Sequence, residues 1–382
     1  MTRPSVLILM GAFWPGNDSS GPNQSVKALA EALRESFDFR MLARDAPFGA
    51  RANAPTGWSD IGFAQARYLR VGRFAATGLR EVLNETPHDL LWLNGFFDRE
   101  FTLPSLALRR LGRIPAKPTL LSTRGEFGSG ALALKGGRKQ VFVRAARALG
   151  LLSGVALHAT SEAEADAIRG SVGANVAIAL SANVRALPAM PAHIPGESAE
   201  LRVAFVGRVS PVKRLHQALE ILRGVQTPVA FSIFGPEQDA AYAAQCRALA
   251  AALPPHIRAL WRGEVGNDAI LGELARTDLF FLPTAGENFG HAIFEALACG
   301  VPALISDQTP WRALQAAQAG WDLPLADNAA FAAAIQSLAA MTPEARAELR
   351  RGARAKAEAW VAANDSAGAA TRMLRAALTR KA

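Results

Sequence analysis

"PTAGENFGHAIFEALACGVPALISD", Pro283 to Asp307, places two glutamates, Glu287 and Glu295, eight residues apart among glycines. The apolar run "LFFLPT" before it reads as a buried strand, so "AGENFG" is the loop at that strand's carboxyl end. "HAIFEALACG" then has the composition of a helix, closed by Gly300 with Pro302 just beyond. Glu287 falls in the loop and Glu295 on the helix. The amides near Gly290, His291 and Ala292 form a helix N-terminus, which favours an anion. A loop carboxylate can accept hydrogen bonds from sugar hydroxyls, and a carboxylate one turn deeper can hold a ribose diol. The plainer readings are a helix cap for Glu287 and a solvated helix face for Glu295.

The same strand–loop–helix rhythm runs through most of the chain. Strand candidates in the first half are "SVLILMG", "FRMLARD", "DLLWLNG", "PTLLSTRG" and "VALHATS". Between them lie the helical stretches "SVKALAEALRESF" (with Ser25 as its N-cap), "RFAATGLREVLNE", "TLPSLALRRLG", "RKQVFVRAARALGLL" and "SEAEADAIRG". "RALPAMPAHIPGESAE", Arg185 to Glu200, breaks the pattern with three prolines and reads as a linker. The alternation restarts with "LRVAFVGRVS", "PVAFSIFGPE", "RALWRGEVG", "DLFFLPTAG" and "VPALISD", and the chain is helical from about Pro343. Alternation of this kind implies parallel sheets covered on both faces.

Length agrees, since 382 residues suit two domains. We expect an α/β chain with two doubly wound domains facing across a cleft. Residues 1–187 form the first, 188–200 the linker, 201–355 the second, and 356–382 a C-terminal helix returning to the first. Ligands of such sheets bind beyond the carboxyl ends of the strands.

Composition narrows the function. No apolar run of about 18 residues is present, so no membrane-spanning helix is expected. The N-terminus has no small-residue cleavage site and reads as a first strand, not a signal peptide. Two cysteines, Cys246 and Cys299, fit a reducing cytosol. The net charge of +9 is uneven, with 23 Lys/Arg against 15 Asp/Glu in residues 1–190 and 19 against 18 in 191–382. A basic first half suits an anionic ligand or an anionic membrane leaflet. The "RKQVFVRAARALGLL" helix reads equally as a basic amphipathic helix on such a surface and as an ordinary packed one. No aromatic-rich basic stripe supports nucleic-acid binding. Gly11, Gly16 and Gly21 lie five apart, which is not the G-x-G-x-x-G of a NAD-dependent oxidoreductase.

The Glu287/Glu295 segment resembles the E-x7-E motif of retaining GT-B glycosyltransferases of family 4, the "glycosyl transferases group 1", of the bacterial polysaccharide and lipopolysaccharide type. "VAFVGRVSPVKRLHQALE" is similar to that family's strand–GR–x4–K–helix segment. By matched position the resemblance implies Glu287 beside the donor sugar and Glu295 on the nucleotide ribose. It implies Arg208 and Lys213 on the donor diphosphate, as a planar fork and a point charge. "SIFGPE" (Gly235, Pro236) and "WRGEV" (Val265) resemble the elements that line the base. Gly207, Asn288, Phe289, Gly290, His291, Ala292 and, in the first loop, Gly21 complete the donor side. Asn288 stands where the family usually has Gly, and "SSGPNQS" where Gly-Gly is common. Arg124 stands near the position of a family histidine and is read as a phosphate or sugar contact. Asn94 and Glu126 are expected to face the acceptor, whereas His158 reads more simply as a packed residue.

The resemblance implies a hexosyltransferase that moves a sugar from a nucleoside-diphosphate sugar, UDP- or GDP-linked, to a saccharide or lipid-linked saccharide. The leaving phosphate deprotonates the acceptor, the configuration is retained, and domain closure excludes water. No D-x-D pair occurs, so neither a metal nor a separate cofactor is expected. The expected location is the cytoplasm, at the inner face of the plasma membrane. A GT-B epimerase or phosphorylase is the nearest alternative.

Overall fold

A computed structural model describes residues 3–11, 13, 21–45, 57–72, 76–127, 136–194 and 200–380. The chain divides into two compact units, one of residues 1–185 with 365–382 and the other of Ala186–Asn364.

Unit 1 is built on β1 (Ser5–Met10), β2 (Asp38–Arg44), β3 (Trp58–Asp60), β4 (Gln65–Leu69), β5 (Leu90–Asn94), β6 (Thr119–Ser122), β7 (Val155–Ala159) and β8 (Ala177–Leu180). They form one sheet in the order β3-β4-β2-β1-β5-β6-β7-β8, parallel except for the β3–β4 pair. β1 shows why "SVLILM" is apolar throughout. Val6, Ile8 and Met10 enter the core on one face, and Leu7 and Leu9 enter the core on the other. The helices are α1 (Gly21–Leu33), α2 (Leu79–Glu85), α3 (Thr102–Arg110), α4 (Gly136–Ala148) and α5 (Glu162–Val172).

Unit 2 has β9 (Leu201–Val206), β10 (Val229–Phe234), β11 (Ile257–Gly263), β12 (Leu279–Leu282), β13 (Ala303–Ser306) and β14 (Gly320–Leu323), in the order β11-β10-β9-β12-β13-β14. Its helices are α6 (Leu215–Leu222), α7 (Ala240–Ala251), α8 (Asn267–Ala275), α9 (His291–Ala298), α10 (Asn328–Ala340) and α11 (Pro343–Ala363). In this order the chain builds outward from β9, then returns to β9's other side with β12. The gap between β9 and β12 is therefore the topological switch point, where loops diverge and leave room for a ligand.

The structure corrects several expectations. α1 begins at Gly21, so Ser25 is no cap; its hydroxyl donates to the Gly21 carbonyl at 3.0 Å, one turn back. Among the described residues of "RFAATGLREVLNE" the helix is Leu79–Glu85, and Gly78 holds a left-handed backbone (φ 71°) just before it; Arg73 to Ala75 lie outside the described residues. The boundary set at residue 355 falls inside α11. Ala357 is fully buried in the unit 2 core with Trp360 packed against it, and the division comes at Asn364. The last helix, α12 (Ser366–Leu378), is capped by Asp365 and places Ala370, Met373, Leu374 and Ala377 in a unit 1 core. The linker also begins as part of unit 2. Arg354 donates to the Pro188 carbonyl at 3.0 Å, and Ile194 N–H to the Ala275 carbonyl at 3.0 Å.

Candidate active site

Four neighbouring strands of unit 2 end on the expected donor-side residues. Gly207 and Arg208 follow β9, Gly235 and Pro236 follow β10, Val265 follows β11, and Glu287 to Ala292 follow β12. Hydrogen bonds lock these ends together: Gly207 N–H to the Phe234 carbonyl (2.9 Å), Val209 N–H to the Pro236 carbonyl (3.0 Å) and Gly235 N–H to the Gly263 carbonyl (2.7 Å). The approach is close enough to demand glycine. A Cβ on Gly235 would lie 2.0 Å from the Gly207 carbonyl oxygen, and its φ of 142° suits only glycine.

The β9 and β12 loops meet across the switch point. The Val212 carbonyl accepts from Ala285 N–H (2.7 Å) and from the Thr284 hydroxyl (3.1 Å). That stitch brings the Lys213 ammonium onto Oε1 of Glu287 in a charge-assisted hydrogen bond. The Lys213 stem runs along Gly207, where an added Cβ would meet it at 3.6 Å. The next residue, Arg214, holds a left-handed backbone (φ 53°) and caps α6. Arg208 is exposed and has no hydrogen-bond or ion-pair partner among the described residues.

Glu287 is no helix cap. The N-cap of α9 is Gly290, whose left-handed backbone (φ 80°) turns the chain so that the first amides of the helix are presented at the loop. Asn288 is half-buried beside it. The Phe289 ring stacks edge-on to His291, with centroids 4.8 Å apart. Glu295 is not a solvated face either, because it is buried in the second turn of α9 at 8 % exposure. Burial, then the Glu295 charge, push the Cys299 thiol one turn on up to about 11, so it stays protonated at neutral pH.

In unit 1 a second polar group sits at the carboxyl ends of β5 and β6. Asn94 Oδ1 accepts from Arg124 Nε at 3.0 Å and Nη2 at 2.5 Å, and Asn94 Nδ2 donates to the Leu9 carbonyl at 3.2 Å. Arg124 holds a left-handed backbone (φ 52°) and lies 5.9 Å over the Trp92 ring. Burial lowers its pKa to about 10 against the pull of the Glu164 charge. Glu164 accepts from Thr123 and Thr160 hydroxyls and from Gly125 and Thr160 amides. These bonds outweigh burial, which alone would raise its pKa, and hold it low. Glu126 accepts from the Phe96 and Phe97 amides at 2.5 and 3.4 Å.

His158 is fully committed. Its Nε2 donates to the Ser181 carbonyl at 3.0 Å, and its Nδ1 takes the Ser122 hydroxyl at 2.7 Å. The Ser181 carbonyl can only accept, so the proton lies on Nε2, and the Ser122 hydroxyl, which accepts from Trp92 Nε1 at 2.8 Å, donates to Nδ1. Burial, then the Arg124 charge, lower its pKa to about 4. Gly21, expected on the donor side, opens α1 in unit 1, and most of the loop before it lies outside the described residues. Among the described residues no three His, Cys, Asp or Glu side chains group as a metal site.

Arg214, Gln308 and Trp311 also shape the site, Gln308 by accepting from Glu287 N–H and Trp311 by donating to the Phe289 carbonyl. Arg214 carries no sequence sign of its backbone, and the other two follow β13, about twenty residues beyond the loop they touch.

Residues 194–356 match the family described as glycosyl transferases group 1. A phosphatidyl-myo-inositol mannosyltransferase of Mycobacterium leprae is 32 % identical over 142 residues, which is 36 % of this chain and 36 % of that protein. The match thus spans about a third of that relative's length. Among solved structures, sucrose-phosphate synthase from Thermosynechococcus elongatus superposes with a TM-score of 0.70 at 18 % identity, covering 98 % of both chains. Anabaena HepE in complex with UDP and glucose gives 0.68 at 15 % identity, over 98 % of this chain and 99 % of that one. WaaG, a glycosyltransferase involved in lipopolysaccharide biosynthesis, gives 0.63 at 12 % identity, over 97 % and 98 %. The chain has the GT-B fold, and the greater part of its second unit, residues 194–356, is similar to the glycosyl transferases group 1 family.

Proposed function

We propose that this chain transfers a sugar from a nucleoside-diphosphate sugar to a saccharide acceptor, with retention of anomeric configuration and without a metal. The observation that carries this is the Lys213–Glu287 pair at the β9/β12 switch point, flanked by Arg208, which has no partner among the described residues, and by the amides after Gly290. Lys213, Arg208 and those amides place positive charge where a departing diphosphate gains negative charge. In the step, an acceptor hydroxyl oxygen bonds to the anomeric carbon on the face the diphosphate leaves. The bond from that carbon to the phosphate oxygen breaks, and the hydroxyl proton passes to the departing phosphate. Glu287 orients the sugar hydroxyls, and Glu295 holds the ribose diol. The HepE complex with UDP and glucose supports a UDP-linked donor, and the mannosyltransferase relative supports a hexose such as mannose as the sugar moved.

A panel of UDP, GDP, ADP and NAD, with and without sugars, tests this by thermal shift on wild type and Glu295→Ala. A ligand at about 100 times its dissociation constant should stabilise by roughly 2.7 kcal/mol. One nucleoside diphosphate should shift the wild type and not the variant. A shift with NAD alone, or with none of the four, would sink the proposal.

We extend the reading to a lipid-linked acceptor at an anionic membrane surface, in cell-surface polysaccharide or lipopolysaccharide synthesis. Among the described residues no helix is long and apolar enough to cross a membrane. The end of α3 and the end of α4 meet where Arg110 donates to the Leu149 carbonyl at 3.3 Å. There Leu111 (70 % exposed) and Leu149 (64 %) stand beside Arg110, and the same two helix ends carry the exposed Arg113, Arg144 and Arg147. Apolar side chains beside arginines suit an anionic headgroup layer. Co-flotation with vesicles of phosphatidylglycerol and not phosphatidylcholine, lost on Leu111→Asp/Leu149→Asp, is the expected result. Equal flotation with both lipids, or with neither, would refute it.

A further inference from the structure

The donor loop is held from behind by a segment that takes no part in the proposed reaction. After β13 the chain runs Gln308–Thr309–Pro310–Trp311. The Gln308 carbonyl accepts the Glu287 N–H at 3.1 Å. Trp311 Nε1 donates to the Phe289 carbonyl at 2.6 Å. Two hydrogen bonds from one four-residue segment thus fix the backbone on both sides of Asn288. The indole is itself set locally, since Trp311 N–H donates to the Thr309 hydroxyl oxygen at 3.2 Å. It is 3 % exposed, and a Cβ on Gly290 would lie 3.3 Å from its nitrogen. The ring therefore sits against the turn that starts α9.

A second tryptophan in the same cluster provides the contrast. Trp360, on α11, lies 5.1 Å from Phe289, 5.7 Å from Phe294 and 6.1 Å from Trp311, centroid to centroid. Trp311 lies 5.8 Å from Phe289 and 6.1 Å from Phe294. The packing of the two rings is comparable. Their polar roles are not, because the Trp360 indole N–H has no hydrogen-bond partner among the described residues whereas that of Trp311 has the loop carbonyl. A buried indole N–H and a buried carbonyl each lose free energy without the other, so the bond holds the loop in one place.

We propose that Trp311 is a positioning residue of the donor loop. Its indole N–H sets the Phe289 carbonyl, and through it the Gly290 turn and the first amides of α9. The phosphate-facing amides are then aligned before any ligand arrives, which lowers the ordering cost of binding. This rests on the reading of that loop as the nucleoside-diphosphate site.

The test compares Trp311→Phe with Trp360→Phe, together with replacement of Trp311 by 3-benzothienylalanine, which keeps the bicyclic shape and removes only the N–H. Amide hydrogen exchange across residues 287–292 is measured in the unliganded protein. Both Trp311 changes should speed it by about 3- to 10-fold, the worth of one hydrogen bond, and Trp360→Phe should not. UDP and GDP dissociation constants should rise by a similar factor in the Trp311 variants, with the acceptor KM unchanged. Equal exchange in the benzothienyl protein and wild type, or equal acceleration in Trp360→Phe, overturns the proposal. So does an unchanged dissociation constant for a nucleotide that the wild type binds. A wild type that binds neither nucleotide would sink the functional reading alone, and the exchange comparison would still decide the role of Trp311.

Discussion

In unit 1 the sheet reverses between β1 and β5, and among the described residues the polar groups near that end bond to one another. Asn94 takes two hydrogen bonds from Arg124, and Glu164 takes four from Thr123, Gly125 and Thr160. In unit 2 the reversal lies between β9 and β12. There Arg208 is exposed with no partner among the described residues, and Lys213 has one carboxylate. The topology is alike and the wiring differs. Where buried polar groups satisfy one another, they hold a surface rigid and have little left to give a ligand. Where a cation is exposed beside a helix N-terminus, an incoming anion completes the set. On the proposed function, the contrast favours unit 2 for the donor chemistry and a scaffolding role for the Arg124 network of unit 1.

Substitution of one cation in each unit is the sharpest way to break that contrast. Lys213→Ala should lower kcat by about 100- to 1000-fold, as removal of a transition-state charge partner does. Arg124→Leu should act instead on stability, since it leaves the buried Asn94 oxygen without either donor. The loss should be about 1–3 kcal/mol in denaturant unfolding. Steady-state rates and unfolding midpoints of both variants are the measurements. If Arg124→Leu leaves stability intact and abolishes turnover, Arg124 belongs to the reaction and the two units do not divide chemistry from scaffold.

The same contrast explains what the sequence made legible. "LFFLPTAGENFGHAIFEALACG" could be placed because every cue in it is local: an apolar strand, a glycine turn, a helix and its closing Gly300. The Arg208/Lys213 loop follows a buried strand in the same way. The four short strands β3 "WSD", β4 "QARYL", β8 "AIAL" and β14 "GWDL" carry no strand signal of their own. They are edge or near-edge strands of three to five residues, too short to show a period. Gly21–Pro22 reads as a turn and so hides the first turn of α1, although proline is tolerated there. Nothing local marks Arg124 for a left-handed backbone, and nothing in "DQTPW" shows that its tryptophan reaches back to Phe289. Contacts between loops of different strands are set by sheet order, which no single segment encodes.

A smaller effect, and one confined to unit 1, should appear on acidification. His158 is held neutral, with a folded-state pKa of about 4 against an ordinary value of 6.5. Between those values the unfolded chain binds a proton that the folded chain does not, so stability falls as pH drops from about 6.5 to about 4 and this contribution is flat below. Full expression of the shift would be worth up to about 3 kcal/mol. Glu164, whose folded-state pKa is low, loses its contribution on the acid side as well, so the wild-type curve alone does not isolate the histidine. The difference between wild type and His158→Gln does, because glutamine cannot titrate and keeps a donor for the Ser181 carbonyl. Urea unfolding at half-unit steps from pH 7 to 4 should give a shallower slope for the variant. Parallel curves would mean that the folded protein lets His158 take up its proton, either by opening the Ser122–His158–Ser181 chain or by moving Arg124 away. Either event would show that the Arg124 network of unit 1 is not closed, and the contrast with unit 2 would lose its physical basis.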